Sequence, residues 1–158
     1  EVNAADDLIG AALARAKSIL AHRDVRVIAD RTQPALLGQF DFVHTLRALV
    51  NLIENAAKYS SPNEPIELTV SRDGARLMIA VADRGAGVSS ADAERIFEPF
   101  YRPSGVAADI PGAGLGLAIS RALARAQGGD VTYARRADGG SVFLLNVPLA
   151  SELAPSSE

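Results

Sequence analysis

The stretch FDFVHTLRALVNLIENAAKYS, residues 40–60, predicts a long helix over residues 40–58 with two chemically different stripes on its surface. One stripe is apolar and would face a core. Its members are Leu46, Leu49, Val50, Ile53 and Ala57. A second stripe carries Asn51, Asn55 and Lys58 or Tyr59. Asparagine is a mediocre helix former, so two asparagines in register beside a buried face indicate a role beyond helix formation.

Metal binding is one such role for the asparagines of this helix. Amide oxygens, together with phosphate oxygens and water, form the lightly charged environment that Mg²⁺ prefers when it arrives bound to a nucleotide. The alternative for Asn51 and Asn55 is an ordinary solvent-facing polar stripe. The helix alone leaves both possibilities open, and other motifs are needed to favour one.

The rest of the chain alternates between helical and extended patterns. Further helices are predicted over residues 6–21, 89–97 and 115–127. Strands are predicted over residues 25–29, around Leu36 and Leu37, and in two hairpins that pair 66–70 with 76–83 and 130–136 with 141–147. These elements predict an α/β fold, a two-layer sandwich in which about three helices cover one face of a mixed, mostly antiparallel sheet.

The length and the irregular segments predict the domain organisation. With 158 residues, of which 48% are hydrophobic, the chain can bury the core of one domain, which we expect over residues 1–150. A disordered tail is expected over residues 151–158. The segment RPSGVAADIPGAG, residues 102–114, has no periodicity, which is typical of a functional lid when it occurs inside a compact domain.

Composition and charge argue against several classes of function. There is no cysteine, so disulfides and thiolate metal sites are ruled out. The formal net charge is −3 and no basic cluster is present, which argues against nucleic acid as a partner. The apolar runs are about a third of the length needed to cross a bilayer, so no direct membrane contact is expected. The chain also starts without methionine, which suggests a piece of a longer protein.

A glycine-rich turn, DRGAGV at residues 83–88, follows directly after the most apolar strand. Gly85 and Gly87 let the backbone turn sharply and approach a flat ligand, and Asp83 can accept a hydrogen bond from an amino group. A plain strand-to-helix turn would also explain the glycines. It would not explain an acid at the apolar end of a strand, where burial costs free energy unless the carboxylate is paired or solvated.

Three glycines at alternate positions, Gly112, Gly114 and Gly116, open the helix predicted over residues 115–127. Backbone N–H groups without partners and the helix dipole make such an N-terminus an anion site, so phosphate is the expected ligand. The preceding segment is a loop rather than a strand, which excludes a Rossmann dinucleotide site, and the GK[ST] ending of a P-loop is missing.

The segment FEPFYR, residues 97–102, precedes the predicted lid in a chain that is otherwise poor in aromatic residues. Its rings are expected to anchor the base of the lid in the core. Arg102 would then reach phosphates when the lid closes. An ordinary surface arginine is the alternative for this residue.

In this order, these motifs resemble those of the catalytic, ATP-binding domain of bacterial two-component sensor histidine kinases, a branch of the family that also includes gyrase, heat-shock protein 90 and MutL. NLIENAAKYS resembles the N box, DRGAGV the first glycine box, FEPFYR the F box, GAGLGLAIS the second glycine box and DGGSVFLLNVPL the closing strand pair. The resemblance covers nearly the whole chain. ADDLIGAALARAK, PIELTV and FEPFYR are also similar to the potassium-responsive KdpD type of sensor kinase.

The resemblance implies a Bergerat-type fold with a site for ATP and Mg²⁺. It implies that Asn55, helped by Asn51, coordinates Mg²⁺ and that Lys58 contacts phosphate. Tyr59 would pack beside the adenine, and Asp83 would hydrogen-bond its amino group. The other residues expected to line the nucleotide are Gly85, Gly87, Val88, Phe100, Gly112, Gly114, Leu115, Gly116 and Leu117.

The resemblance also implies partners. Such kinases transfer the γ-phosphoryl group to a histidine on a separate dimerisation hairpin, and a response regulator acts downstream. We expect that hairpin to be missing from this chain, because His44 in HTLRA has no TP after it and would lie on the surface of the long helix. The isolated domain is expected to be a monomer and the cytoplasmic part of a membrane-bound sensor.

Catalytic roles and alternatives follow from the same comparison of motifs. Lys58 and Arg102 would neutralise the transferred phosphoryl group, and Glu54 would orient an incoming histidine or a water. Hydrolysing relatives place a glutamate where this chain has Asn51, which argues against a gyrase-like ATPase. The lid has no basic residue over 103–111, so its positive contribution is expected to be small. A nucleotide-binding scaffold without transfer activity and a serine-phosphorylating anti-sigma kinase are the alternatives.

Overall fold

The computed structural model describes residues 1–29, 36–102 and 114–150 of the chain. The strands are β1 (Val2–Ala4), β2 (Val25–Ile28), β3 (Leu37–Gln39), β4 (Ile66–Asp73), β5 (Arg76–Asp83), β6 (Asp130–Arg135) and β7 (Ser141–Pro148). The helices are α1 (Ala5–Arg15), α2 (Lys17–Leu20), α3 (Phe42–Tyr59), α4 (Ser90–Ala93) and α5 (Gly116–Arg125). Most of the predicted lid and the tail over 151–158 lie outside the described residues.

A five-stranded sheet forms one layer, in the spatial order β2-β4-β5-β7-β6. β2 runs parallel to β4, and the other neighbouring strands are antiparallel. Because side chains alternate along a strand, one face of the sheet collects the apolar residues. At its centre Leu68 lies opposite Val81, and Val81 lies opposite Phe143. All three are buried. The predicted mixed, mostly antiparallel sheet is confirmed.

The helical layer covers the apolar face of this sheet. α3 is the central helix, and Leu49, Leu52 and Ile53 on it are completely buried. α1 packs against α3 and adds Leu8 and Ala12 to the same core. α5 packs along α3 and β6. The predicted two-layer α/β sandwich is therefore confirmed. In the described ranges, no helix has both the length and the apolar character needed to cross a bilayer.

Polar bridges fix α5 beside α3. The hydroxyl of buried Ser120 lies 2.9 Å from the Gly116 carbonyl and 3.2 Å from the Ala48 carbonyl. Near the other end of α5, the side-chain amide of Gln127 donates to Thr45 Oγ1 at 2.8 Å. These bonds set the register of the two helices and bring the N-terminus of α5 beside the polar stripe of α3.

The helix predicted over residues 6–21 is in fact two helices. Ala16, whose backbone has φ −88° and ψ 5°, separates α1 from α2. The Ala16 N–H still donates to the Ala12 carbonyl at 3.0 Å, so the chain keeps helical spacing on both sides of the break. A periodic sequence pattern cannot reveal a break of this kind.

The helix predicted over residues 89–97 is shorter than its sequence pattern indicated. It begins at a Ser89 cap, ends at Ala93 as α4, and continues as turns. The Arg95 N–H donates to the Asp92 carbonyl at 2.8 Å, three residues back, so the backbone is tighter than in an α-helix. This turn carries Ile96 into the core.

A second, two-stranded sheet pairs β1 with β3 in antiparallel orientation. The strand predicted around Leu36 and Leu37 exists as β3, whereas the sequence predicted no strand at β1. Gly38 forms a bridge to Leu149, so the small sheet adjoins the end of β7.

We expect Gly129→Ala to destabilise the fold, because a Cβ at this position would clash with the carbonyl oxygen of Asn146 in β7. Overpacking of this kind costs about 1–3 kcal/mol. Gly10→Ala is the matched control, since no atom lies within 4 Å of its Cβ position and alanine favours a helix by about 1 kcal/mol. Urea denaturation gives the free energy of unfolding of both variants. Equal values for the two would contradict the close approach of Gly129, just before β6, to Asn146 in β7.

Candidate functional site

The C-terminal end of α3 meets the C-terminal end of β5, the central strand of the sheet. Gly85 packs against the backbone carbonyl of Tyr59, and a Cβ at Gly85 would overlap that oxygen. The same Cβ would lie 3.1 Å from Asp83 Oδ1. Only glycine allows this approach, so DRGAGV lies directly against the end of NLIENAAKYS.

Asp83 is the last residue of β5, and only 2% of it is exposed. Burial raises the pKa of its carboxyl above the usual range. Hydrogen bonds from the backbone N–H groups of Gly85 and Ser141 lower this pKa. The bond from Gly85 to Oδ1 is 2.8 Å long. The charges of Arg136 and Arg23 also lower the pKa, by less. The site therefore holds a buried acceptor whose charged form is only partly stabilised by the protein.

The turn between β6 and β7 supports the glycine-rich loop. Gly140 has φ +110°, and a Cβ there would overlap the Asp83 carbonyl oxygen. Gly87 has φ +78°, and the position of its missing Cβ lies 3.3 Å from the Gly140 carbonyl oxygen. The next residue, Val88, donates its N–H to the Tyr133 hydroxyl at 2.9 Å. The loop is thus fitted against β6 and β7 as well as against α3.

Asn51 joins α3 to the second glycine motif. Its side-chain nitrogen donates to the Gly116 carbonyl at 3.5 Å, at the start of α5. Leu115 precedes the helix and is half-buried, and Leu117 packs against the core. The structure therefore brings GLGL beside the asparagine stripe, whereas Gly112 lies outside the described residues.

Phe100 and Gly114 join the two ends of the predicted lid. The Phe100 N–H donates to the Gly114 carbonyl at 2.9 Å. Both residues have positive φ, +67° and +76°, and a Cβ at Gly114 would lie 2.9 Å from the Phe100 carbonyl carbon. Phe100 is 69% exposed, so the prediction that the aromatic residues of FEPFYR anchor in the core is wrong for this one. Its left-handed backbone turns the ring away from the core.

The other two aromatic residues of FEPFYR pack against the core, as predicted. The Phe97 ring meets the Phe143 ring edge-on, with centroids 6.3 Å apart. The guanidinium of Arg121 lies 3.8 Å from the centroid of the Phe97 ring, a favourable cation–π distance. The Tyr101 hydroxyl donates to the buried carboxylate of Asp92. FEPFYR is therefore fixed at Phe97 and Tyr101.

The remaining residues that the sequence singled out lie at the end of α3 and before the lid. Glu54, Asn55, Lys58, Tyr59 and Arg102 are all half-buried. Within the described part of the chain, no hydrogen bond or ion pair engages the side chains of Asn55 and Lys58. They share one edge of α3 with Asn51, so their polar groups are available to a ligand there.

Sequence reasoning missed Arg23, which follows α2. Its guanidinium donates to Ser60 Oγ at 2.7 Å and to the carbonyls of Ser61 at 2.8 Å and Ala57 at 3.1 Å. A cation is favourable at a helix C-terminus, where carbonyl groups lack partners within the helix. Arg23 thereby holds the end of α3 in place. No short-range pattern signals this role, because its partners are 34 to 38 residues away.

The two histidines lie on the surface. His44 is exposed near the start of α3, where Asp41 caps the helix by accepting the His44 N–H at 2.9 Å. His22 is exposed in the turn before β2. The prediction that His44 belongs to the surface of the long helix is confirmed.

Known proteins are similar to this chain in sequence and in fold. Residues 41–151 match the family model described as Histidine kinase-, DNA gyrase B-, and HSP90-like ATPase, which is well over half of the chain. The chain belongs to this ATPase family. The solved structure of the mycobacterial sensor histidine kinase MprB has a TM-score of 0.82 to this ATPase domain at 25% identity, and the match covers 94% of this chain and 98% of that chain.

Curated relatives of this ATPase domain are sensor kinases. The sensor protein KdpD of Escherichia coli is 38% identical over 112 residues, which are 71% of this chain. The sensor-like histidine kinase SenX3 of Mycobacterium tuberculosis is 34% identical over 149 residues, which are 93% of this chain. The chain is thus the catalytic ATP-binding domain of a sensor histidine kinase, and it spans 12% of KdpD and 36% of SenX3. Because KdpD and SenX3 both match, these similarities do not assign the chain to the KdpD type in particular.

The buried carboxyl of Asp83 makes the stability of this histidine kinase domain depend on pH. Its pKa is raised in the folded state, so the folded protein holds this proton more tightly than the unfolded chain. That contribution to stability is fully present below the unfolded pKa of about 3.9 and is lost as pH rises through the higher folded pKa. We expect Asp83→Asn to be more stable than wild type at neutral pH, with a difference that shrinks toward pH ~4.

Urea denaturation of wild type and Asp83→Asn across this pH range measures the difference. Asp73→Asn, at the exposed end of β4, is the matched control and should follow the wild-type pH profile. A stability difference between Asp83→Asn and wild type that does not change with pH would contradict the raised pKa.

Proposed function

We propose that this domain binds Mg-ATP and supplies the γ-phosphoryl group for phosphorylation of a histidine on a separate dimerisation hairpin of its parent protein. The observation that carries the proposal is the buried carboxylate of Asp83 at the end of the central strand. An ionised carboxylate has about four acceptor positions, of which two backbone N–H groups use two. The amino group of adenine is a donor that fits the remaining capacity.

The adenine would lie beside this carboxylate. Gly85 and Gly87 carry no side chains that would obstruct it, and Val88 and Tyr59 would contact the ring. The loop is held by protein contacts on both sides, to the Tyr59 carbonyl and to the Tyr133 hydroxyl. A flat base would therefore meet a surface that is already formed, which lowers the cost of binding.

Mg²⁺ would be held by Asn55 with help from Asn51. In the described parts of the chain, no group of three or more His, Cys, Asp or Glu side chains is placed to bind a metal. Among the described residues, no donor bonds to the Asn55 amide oxygen. A neutral oxygen ligand of this kind suits a hard cation that brings phosphate and water ligands with it, so the donor set fits Mg²⁺ carried by a nucleotide. When bound, the ion neutralises phosphate charge.

The phosphates would lie between the edge of α3 and the start of α5. Lys58, on the same edge of α3 as Asn55, would contact phosphate. The free N–H groups at the N-terminus of α5, opened by Gly114 and Gly116, would bind phosphate oxygens. Phe100, Gly112, Leu115 and Leu117 complete the proposed lining.

Phosphoryl transfer depends mainly on positioning and charge neutralisation. Lys58 and Arg102 would supply positive charge, and Glu54, next to Asn55, would orient the incoming histidine. Asn51 occupies the position at which the resemblance implies a glutamate base in hydrolysing relatives. Water would then lack an activating base and compete poorly for the phosphoryl group.

The parent protein is proposed to be a sensor that signals to a response regulator. The similarity to the sensor protein KdpD and the sensor-like histidine kinase SenX3 supports the sensor role. The domain is proposed to occupy residues 1–150, to be monomeric when isolated, and to work in the cytoplasm as part of a membrane-bound protein.

Calorimetric titration tests the adenine side. We expect Mg-ATP to bind more tightly than Mg-GTP, because guanine carries a carbonyl oxygen where adenine offers an amino donor to Asp83. Asp83→Asn removes the charge from this hydrogen bond, so we expect the affinity for Mg-ATP to fall about tenfold and the preference for ATP to narrow. The proposed pocket would be contradicted, and the scaffold alternative favoured, if the wild-type domain binds no ATP. The same conclusion would follow if Asp83→Asn binds ATP as tightly as wild type.

The same titration on Asn55→Ala tests the metal site. We expect this variant to lose affinity for Mg-ATP but little affinity for metal-free ATP, since only the metal-dependent part of binding is removed. Asn63→Ala, at an exposed asparagine in the turn after α3, is the matched control and should bind like wild type. Equal losses with and without Mg²⁺ would rule out a metal role for Asn55.

Glu54→Gln tests the transfer step in the presence of a histidine hairpin. The substitution keeps the shape of the side chain and removes its charge, so we expect transfer from radiolabelled ATP to slow by about 10²-fold with little change in ATP affinity. Glu94→Gln, at an exposed glutamate after α4, is the control. Unchanged transfer in Glu54→Gln would exclude this role.

A further inference from the structure

The hydroxyl of Tyr133, on β6, contacts the site without belonging to any of its motifs. The Val88 N–H, 45 residues away in sequence, donates to this hydroxyl at 2.9 Å. The position of the missing Cβ at Gly87 lies 3.7 Å from the same oxygen, and Ser141 Oγ lies 3.4 Å from it. One hydroxyl therefore meets the last two residues of DRGAGV.

The ring that carries this hydroxyl is fixed by the sheet. Tyr133 lies opposite Phe143 in the β6–β7 ladder, and their ring centroids are 5.2 Å apart. Phe143 is 2% exposed and also meets Phe97 edge-on. Cross-strand aromatic pairs of this kind stabilise a sheet. The position of the hydroxyl is therefore set by the core and not by the loop that it contacts.

The loop keeps its conformation through its contacts with the rest of the fold and not through its own residues. Gly87 adopts φ +78°, a conformation that glycine leaves easily because it has many others available. At its start the loop is held by Asp83 through the Gly85 N–H. At its end the Val88 N–H is held by Tyr133. Loss of the second contact would free the half of the loop that follows Gly85.

We propose that Tyr133 is a positioning residue for nucleotide binding, whose hydroxyl holds the Val88 N–H and keeps the loop in its binding conformation before the nucleotide arrives. This role rests on the proposed function. If a loop becomes ordered only when the nucleotide binds, the lost conformational entropy weakens the affinity. A loop that is already ordered avoids this loss. A contact that only stabilised the fold would change the stability of the domain and leave nucleotide affinity unchanged.

Tyr133→Phe tests this role, because it removes one oxygen and leaves the ring on Phe143. Loss of one hydrogen bond corresponds to about a three- to tenfold change in an equilibrium constant. We expect the Kd for Mg-ATP, measured by calorimetry, to rise by this factor. In the nucleotide-free protein, we expect the Val88 amide to exchange its hydrogen faster by a similar factor, measured by NMR.

Thr132→Val is the matched control. It removes a hydroxyl from the neighbouring residue, whose side chain points to the opposite face of β6, and it leaves Val88 bonded to Tyr133. We expect the wild-type Kd for Mg-ATP and the wild-type exchange rate at Val88 in this variant.

The outcomes separate this role from the proposed function. Wild type that binds no Mg-ATP would contradict the proposed function and the positioning role with it. Wild type that binds, with Tyr133→Phe binding equally well, would overturn the positioning role alone. Equal weakening in Tyr133→Phe and Thr132→Val would also overturn it, because the effect would then belong to β6 as a whole. If Tyr133→Phe does not fold, hydrogen exchange of the Val88 amide in nucleotide-free wild type provides the test. Slow exchange supports the positioning role, and an unprotected amide overturns it.

Discussion

The approach of Gly85 to the Tyr59 carbonyl sets the geometry on which the site depends. It joins the end of the central helix to the end of the central strand, and both elements are anchored in one core. Any side chain at Gly85 would push α3 away from β5 and displace the asparagine edge relative to Asp83. Arg23 also holds the end of α3, by donating to the Ala57 carbonyl in its last turn and to the Ser61 carbonyl just after the helix. The glycine therefore serves the packing of the protein as well as access for a ligand.

The buried carboxylate of Asp83 shows that stability and function compete in this fold. Burial of an ionised group is unfavourable, and here two backbone N–H groups and the charges of Arg136 and Arg23 offset only part of it, since the pKa remains raised. An apolar residue at the end of β5 would fit the core at less cost. The acid is consistent with a ligand donor that completes its hydrogen bonds, as in the proposed complex with adenine.

The sequence predicted those features that depend on patterns among residues close together in the chain. The long helix α3 and both hairpins were predicted because their periodicity extends over many residues, and Asp83 stood out because an acid at an apolar strand end is costly. The break at Ala16 and the outward turn of Phe100 depend on backbone angles that periodicity does not encode. Arg23 and Tyr133 act across 34 to 45 residues, so only the folded chain shows what they contact.

The two halves of the site differ in how many of their polar groups are hydrogen-bonded within the protein itself. On the side proposed for adenine the protein makes its own bonds, from Gly85 to Asp83 and from Val88 to Tyr133. On the side proposed for phosphate, Asn55 and Lys58 have no partner among the described residues, and Asn51 makes a single long hydrogen bond of 3.5 Å there. In the proposed complex, the base would therefore meet a rigid surface, whereas phosphates and metal would complete the other half. In that complex, such a division would let the γ-phosphoryl group leave without disturbing base recognition, because the bonds of the loop that would hold the base do not depend on the polar edge of α3.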